Sequence, residues 1–327
     1  MTLSVHITNP PKEPFLELLK AELADSVTLS FGEEVPEFAN YHIIVGGRPS
    51  DELLSASPNL HSLVIPWAGI PGSTYKKMAN YPHVSVHNLH FNDVPVAEVT
   101  FMLMITAAKQ TIPFDKSLRN NDWTPRFGHG HNTVLLSGKT VLILGYGAIG
   151  KQVAKMCQAF GMKVLATRRK ADGIEMDGET AVYPSADLHK LLPQANVLII
   201  SLPLTEETKN LIDAEELNLL PDKAILVNVG RGKIVNEAAL YHALKNGKLH
   251  SAGLDVWYNY PTGEEDTPNT PPANFPFHEL DNVVFSPHRA TFTGDSEVLR
   301  MKDLARLINT AVSGQPMPNK MDLDAGY

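Results

Sequence analysis

Short apolar, β-rich runs alternate with helically spaced segments from the start of the chain: "LSVHIT", "FLELLKAELA", "VTLSF", "YHIIVGG", "DELLSASP", "HSLVIP", "STYKKMANY" and "VSVHNL". A strand repeats every two residues and a helix every 3.6, so this alternation predicts βαβ units and a parallel sheet. The long segment "VAEVTFMLMITAAKQTIPFDKSLRN" reads as an amphipathic helix that interrupts the rhythm, and the polar loop "DWTPRFGHGHNTVLLSGK" after it marks a boundary. A second series runs through "KTVLILG", "KVLATRR", "NVLIISLP", "AILVNVG", "LHSAGLDV" and "NVVFSPH", six strands with crossovers that include the helical "DLHKLLPQ" and "NEAALYHALKNG". The closing "DSEVLRMKDLARLINTAVSG" is helical and, at about 1.5 Å per residue, long enough to reach back to the first domain. The expected organisation is a discontinuous domain, residues 1–98 and 290–327, around a second domain spanning 99–289.

Composition narrows the function classes. The chain has 327 residues, 43% hydrophobic and 20% charged, which suits two globular domains. A formal charge of −8 with no long basic run argues against nucleic acid as a partner. The one cysteine, Cys157 in "KQVAKMCQAFG", excludes an intrachain disulfide and a cysteine-based zinc site, and reads as a small core thiol on a helix. The start "MTLSVHITNPPKEPF" lacks a basic, then apolar leader pattern, and no run approaches ~18 uninterrupted apolar residues, so a cytoplasmic protein with no membrane partner is expected. His129 and His131 in "HGHN" have no neighbouring cysteine or carboxylate and read as surface rather than as metal ligands. "PTGEEDTPNTPPANFPF" reads as an extended loop, since proline fixes φ and removes donors.

The strongest chemical signal is "VLILGYGAIGKQVAKM", which sets Gly145, Gly147 and Gly150 after an apolar strand and at the start of a helical pattern. That context, with Tyr146, Ala148 and Ile149 in the turn, fits a dinucleotide fingerprint. The first glycine permits a tight turn, the second lets backbone approach a pyrophosphate, and the third allows close helix–strand packing at a helix N-terminus that favours anions. The following strand, "MKVLATRRK", ends in Thr167, Arg168 and Arg169. Arg168 lies 23 residues beyond Gly145, where an acidic residue would hold the ribose 2′-hydroxyl of NAD. A guanidinium suits a 2′-phosphate instead, so NADP(H) is expected in preference to NAD(H). The alternative is a pair of solvated arginines beside a permissive NAD site.

Reading on, "SLPLTEETKNLID", "AILVNVGRGKIVNEAAL", "AGLDVW" and "NVVFSPHRAT" follow in that order. Together with "GYGAIG" they resemble the D-isomer-specific 2-hydroxyacid dehydrogenases, a family that includes glyoxylate/hydroxypyruvate reductases, D-lactate, phosphoglycerate and formate dehydrogenases. The resemblance covers nearly the whole chain. It implies an α/β protein of two Rossmann-like or flavodoxin-like domains with parallel sheets, an active site in the cleft between them, and a homodimer. It also implies that Arg231 of "VGRG" binds the substrate carboxylate and carbonyl, that His288 of "SPH" is the acid/base beside the cofactor, and that Asp255 of "LDV" holds the nicotinamide carboxamide. Leu202, Pro203, Thr208, Val229 and Gly230 would contact the cofactor. The loop "PWAGIPG" would cradle the carboxylate through Ala68, Gly69 and Ile70, with Pro71 where an aspartate is common, and Asn92 would face the pocket.

The chemistry asks for these residue types independently. Reducing a 2-keto acid needs a hydride donor, a cation to polarise the oxygen and grip the carboxylate, and a proton donor titrating near neutrality. A surface arginine capping a helix, a satisfied loop histidine and an aspartate that merely caps a turn are the structural alternatives for Arg231, His288 and Asp255. Trp67 reads equally as a determinant of pocket size or as core.

The resemblance breaks at Tyr260, where the family usually has a glutamate paired with the histidine. A carboxylate there would raise the histidine's pKa, whereas a neutral phenol can only hydrogen-bond. Three readings follow: Tyr260 orients His288 without raising its pKa; Glu264 or Glu265 takes over; or acid/base power is relaxed, as in the formate dehydrogenase branch. The expected activity is reduction of glyoxylate, hydroxypyruvate or pyruvate-like acids to D-2-hydroxy acids. The alternatives are a proton-free hydride oxidation of formate type, or a non-catalytic dinucleotide-sensing protein resembling corepressors of this fold.

Overall fold

A computed structural model describes residues 2–127 and 133–323, and the chain divides into two compact units, Met1–Asn92 with Phe292–Tyr327, and Asp93–Thr291. The "HGHN" histidines, His129 and His131, lie outside the described residues.

The first unit opens with β1 (Leu3–Ile7), α1 (Phe15–Glu22), β2 (Val27–Phe31), β3 (Ile43–Val45), α2 (Asp51–Ala56), β4 (Ser62–Ile65), α3 (Gly72–Met78) and β5 (Ser85–Asn88). The strands form one parallel sheet in the order β2-β1-β3-β4-β5, a flavodoxin-like arrangement. Both faces are buried, and the two-residue period sorts the side chains. Ile43, Val45 and Val64 join a core that includes Leu304, Leu307 and Ile308, while Ile44, Leu63 and Ile65 join one that includes Leu53, Leu54 and Met78. Ser50 caps α2 by accepting a hydrogen bond from the Leu53 amide at 3.2 Å.

The second unit begins with α4 (Asp93–Lys109) and α5 (Thr111–Arg119), then β6 (Thr140–Leu144), α6 (Ala148–Ala159), β7 (Lys163–Arg168), β8 (Glu175–Asp177) and β9 (Thr180–Pro184). It continues with α7 (Leu188–Leu191), β10 (Val197–Ile200), α8 (Ala214–Leu219), β11 (Ala224–Asn228), α9 (Glu237–Lys245), β12 (Leu249–Leu254) and β13 (Val283–Phe285). The chain then re-enters the first unit as α10 (Ser296–Val312), which packs against α1.

The sheet of the second unit runs β13-β12-β11-β10-β6-β7-β9-β8. Its parallel strands reverse direction of travel between β6 and β10, the switch point of a doubly wound fold. Val141, Ile143, Val197, Ile199, Ile225 and Val227 face one core; Leu142, Leu144, Leu198, Ile200 and Leu226 face the other.

The α/β class with parallel sheets is as expected. Three details differ from the sequence reading. The six expected strands become eight, because the hairpin β8–β9 adds an antiparallel edge at Glu175–Asp177. The long interrupting segment is two helices, broken at Gln110, whose φ of 51° is left-handed. The first of these, α4, is less an amphipathic surface helix than a core one, with Val96, Ala97, Thr100, Leu103, Met104, Ala107 and Ala108 buried as it packs on α6, β11 and β12. That packing draws the unit boundary back to Asn92/Asp93. Cys157 is a buried α6 thiol, its pKa pushed up to about 12 by burial.

Candidate active site

In a parallel sheet the carboxyl ends of all strands lie on one edge, where ligands of open α/β sheets bind. Many of the residues singled out in the second unit sit at or just beyond such an end. Gly145 follows β6, Thr167 and Arg168 close β7, Leu202 and Pro203 follow β10, Arg231 follows β11, Asp255 follows β12 and His288 follows β13.

The turn after β6 has the dimensions of a dinucleotide cradle. Gly145 has φ +99°, and its amide and that of Tyr146 both donate to the Thr167 carbonyl, at 3.3 and 3.0 Å. A Cβ at Gly150 would fall 2.1 Å from the Gly145 carbonyl oxygen, so only glycine lets α6 start this close to the turn. A Cβ at Gly147 would meet nothing within 4 Å, which leaves open space in front of the α6 N-terminus. These residues fit a pyrophosphate, with Gly147, Ala148 and Ile149 amides available to hold it.

The loops after β10 and β11 are rigid for local reasons. Thr208 donates to the Pro203 carbonyl at 2.7 Å and accepts from the Thr205 amide at 2.8 Å, so its hydroxyl closes its own turn. Asn228 accepts from the Gly230 amide and donates to the Arg231 carbonyl, both at 3.0 Å, pinning the "VGRG" backbone. Val229 is buried, and Arg231 is exposed, with one guanidinium nitrogen donating to the Gly230 carbonyl at 2.7 Å.

Asp255 is 1% exposed and its carboxylate accepts from the Ser286 hydroxyl, the Arg289 amide at 3.0 Å and the Ala290 amide at 3.2 Å. Those partners flank His288, whose φ of 56° is left-handed and strained for a residue with a Cβ. Asp255 therefore fixes the loop that presents the imidazole, a turn-holding function that the sequence reading carried only as the alternative to nicotinamide contact.

Tyr260 does not meet His288 as a hydrogen-bonding substitute for glutamate. Its hydroxyl accepts from the Trp257 amide at 3.1 Å, closing a turn over three residues, and its ring lies 5.5 Å from the imidazole at 58°. The contact is aromatic. Glu264 and Glu265 sit in an exposed 3-10 turn, and the charges felt by His288 are those of Arg231 and Asp255. Burial lowers the His288 pKa below 6.5, the Arg231 charge lowers it further, and Asp255 partly opposes them. Burial raises the pKa of Tyr260, which stays a neutral phenol.

In the first unit the loop after β4 carries Ala68, Gly69 and Ile70, held by Asn88 donating to the Ala68 carbonyl at 2.6 Å. Trp67 lies against Gly47, where a Cβ would fall 2.2 Å from the indole, yet the ring keeps 39% of its surface exposed. Asn92 is 7% exposed and its Oδ1 is buried without a partner. Such an orphaned acceptor suits a ligand donor.

Sequence reasoning passed over Ser286, Trp257 and Asn228, which position these groups. Each stands inside a quoted motif; the partners of Ser286 and Trp257 are brought by the fold, whereas those of Asn228 lie two and three residues away in its own motif. It also passed over Glu175, which forms an ion pair with Arg168. Among the described residues no cluster of three or more His, Cys, Asp or Glu could hold a metal, and no helix is long and apolar enough to cross a membrane.

A doubly wound sheet with a glycine cradle at its switch point and Arg, His and Asp at neighbouring strand ends defines a dinucleotide-binding oxidoreductase. Residues 101–290 match the D-isomer specific 2-hydroxyacid dehydrogenase, NAD binding domain, and the chain belongs to that family. It is 35% identical to a glycerate dehydrogenase from Methylorubrum extorquens over 71% of this chain and 69% of that one. A glyoxylate/hydroxypyruvate reductase from Arabidopsis thaliana is 30% identical over 98% of this chain and 97% of its own. Several other curated relatives are matched over only 60%, 59% and 64% of their length. A D-isomer specific 2-hydroxyacid dehydrogenase family protein of Aeromonas salmonicida superposes with a TM-score of 0.75 at 26% identity, over 99% of this chain and 100% of that one.

Proposed function

We propose that the chain reduces small 2-keto acids of the glyoxylate, hydroxypyruvate and pyruvate type to D-2-hydroxy acids, with NADPH preferred over NADH. The observation that carries this reading is the His288 loop, held in a strained conformation by buried Asp255 and lying in the field of Arg231. When bound, the nicotinamide supplies or accepts hydride at the reacting carbon. Gly145, Tyr146, Gly147, Ala148, Ile149 and Gly150 would cradle the pyrophosphate. Thr167, Arg168 and Arg169 would receive the adenosine ribose and its phosphate, and Leu202, Pro203, Thr208, Val229, Gly230 and Asp255 would border the remainder.

The residues divide the remaining work. Arg231 grips the carboxylate and polarises the carbonyl oxygen with a fixed positive charge. Within the first unit, the backbone at Ala68, Gly69 and Ile70 would suit a carboxylate, and the buried acceptor of Asn92 a hydroxyl such as that of hydroxypyruvate. His288 gives the carbonyl oxygen its proton during reduction and takes it back during oxidation. Tyr260 shields one side of the imidazole without adding charge. Because burial and the Arg231 charge lower the histidine's pKa, the protonated form needed for reduction is favoured by acid pH.

Assay of a keto-acid panel with NADPH and NADH between pH 5 and 8 tests the reading, and absence of turnover throughout rejects it. Turnover of formate with NADP+ alone would place the chain with proton-free hydride donors. A cofactor-driven change in oligomer size without any turnover would mark a sensing protein. Replacing Arg168 with Asp should move preference toward NADH; an unchanged ratio removes that arginine from selectivity.

We further propose a homodimer, supported by the apolar side chains exposed along α4, α5 and the segment after them: Met102, Ile112, Leu118, Trp123 and Phe127. Single scattered apolar residues need no explanation; a series of this kind along successive elements supports an association surface. Sedimentation of the wild type and of a Trp123→Glu variant tests it, with dissociation expected in the variant.

A further inference from the structure

We propose that Glu175 sets the cofactor selectivity of this chain by competing with the 2′-phosphate of NADP for the Arg168 guanidinium. The inference rests on the reading that the turn after β6 and the end of β7 hold a dinucleotide.

The sheet registers place the competitor. Val182 of β9 pairs with Ala166 of β7 on one side and with Glu175 of β8 on the other, so Arg168 reaches across β9 to form its ion pair. Strand side chains alternate, so Glu175 and Asp177 share one face of β8. Asp177 accepts from the Tyr146 hydroxyl at 3.2 Å and pairs with Lys151 at 3.4 Å, with Lys151 also 5.6 Å from the Tyr146 ring centre. The hairpin thus presents two carboxylates to three groups around the same turn: the second residue of "GYGAIG", a lysine in the first turn of α6, and the arginine ending β7.

Charge decides what this does to a ligand. A 2′-phosphate brings up to two negative charges to an arginine already compensated by a carboxylate, and it must tolerate that carboxylate or displace it. A 2′-hydroxyl is neutral and meets no such penalty. The side chains of Arg168 and Glu175 are 38% and 47% exposed, which keeps their pairing weak enough for a phosphate to break. The outcome is a tempered preference, in which NADP remains bound and NAD is not excluded. An acidic group is thereby brought to the end of β7 by tertiary structure, although the residue at that strand end is basic.

Titration of NADPH and NADH into the wild type, Glu175→Gln, Arg168→Gln and the double variant, read by calorimetry, tests the inference independently of turnover. Glu175→Gln should tighten NADPH about threefold to fivefold and leave NADH within about twofold, as freeing the Arg168 guanidinium from a weak, solvent-screened ion pair would do. In the Arg168→Gln background the same change should leave NADPH almost untouched. An unchanged or weaker NADPH affinity in Glu175→Gln would overturn the inference, as would an equal gain without Arg168. Failure of the wild type to bind either cofactor would overturn the dinucleotide site itself, and this inference with it. Both side chains are on the surface, and unchanged melting temperatures would show that the variants fold.

Discussion

At the scale of single residues, the proposed chemistry depends on how a loop histidine is held. The types at Arg231, His288 and Asp255 are legible in the sequence, because reduction of a keto acid needs a cation and a proton donor and the motifs come in order. What the sequence hides is the partner of each group. Tyr260 is spaced correctly to replace a carboxylate, but the turn from Trp257 captures its hydroxyl, leaving only its ring to face His288. Asp255 accepts from Ser286, Arg289 and Ala290, all more than thirty positions away in the chain. Replacing Asp255 with Ala should strand those donors, of which the Ala290 amide is buried, at a cost on the order of 3 kcal/mol and release the His288 turn. A fall in melting temperature together with a collapse of kcat is expected. A stable variant with wild-type kcat would show that the loop holds itself.

Elements were easier to read than their edges. The strands "TVLIL", "VLII" and "AILVN" are buried on both faces and announce themselves as continuous apolar runs, as parallel strands do. β8 is "EMD", fully exposed and three residues long, so neither alternation nor apolarity betrays it. The break between α4 and α5 is less silent: Gln110 takes a left-handed conformation without being glycine, but Pro113 in the first turn of α5 marks a helix start that the sequence reading passed over. The turn from β6 into α6 was readable because glycines are needed where backbone crowds backbone. A Gly150→Ala variant should push the helix start away from Gly145, destabilise the unit by about 1–3 kcal/mol and weaken cofactor binding at least tenfold. Thermal melting and cofactor titration check both effects, and wild-type affinity with an unchanged melting temperature would contradict the close approach.

At the scale of the whole molecule, two sheets whose central strands are parallel and buried on both faces are what the alternation of runs along the chain implied. Their burial also sequesters charge-sensitive side chains. His6, His61, His87, His250 and His288 all have pKa values lowered mainly by burial. Below about 6.5 the unfolded chain takes up protons that the folded chain refuses, so stability should fall as pH drops through and below that value. Denaturant midpoints measured from pH 7.5 down to 5 check this, and a flat profile would mean that these imidazoles are protonated in place. Under the proposed function the same depression would govern proton transfer at His288, where Asp255 only partly offsets burial and the Arg231 charge and no glutamate stands at position 260. The most direct test is the pH dependence of kcat/KM for hydroxypyruvate reduction, compared between the wild type and Tyr260→Glu. The wild type should lose activity as pH rises through a pKa below 6.5, and Tyr260→Glu should carry that limb to higher pH. A wild-type limb well above 6.5, or one that the substitution leaves in place, would contradict an imidazole working without a carboxylate partner.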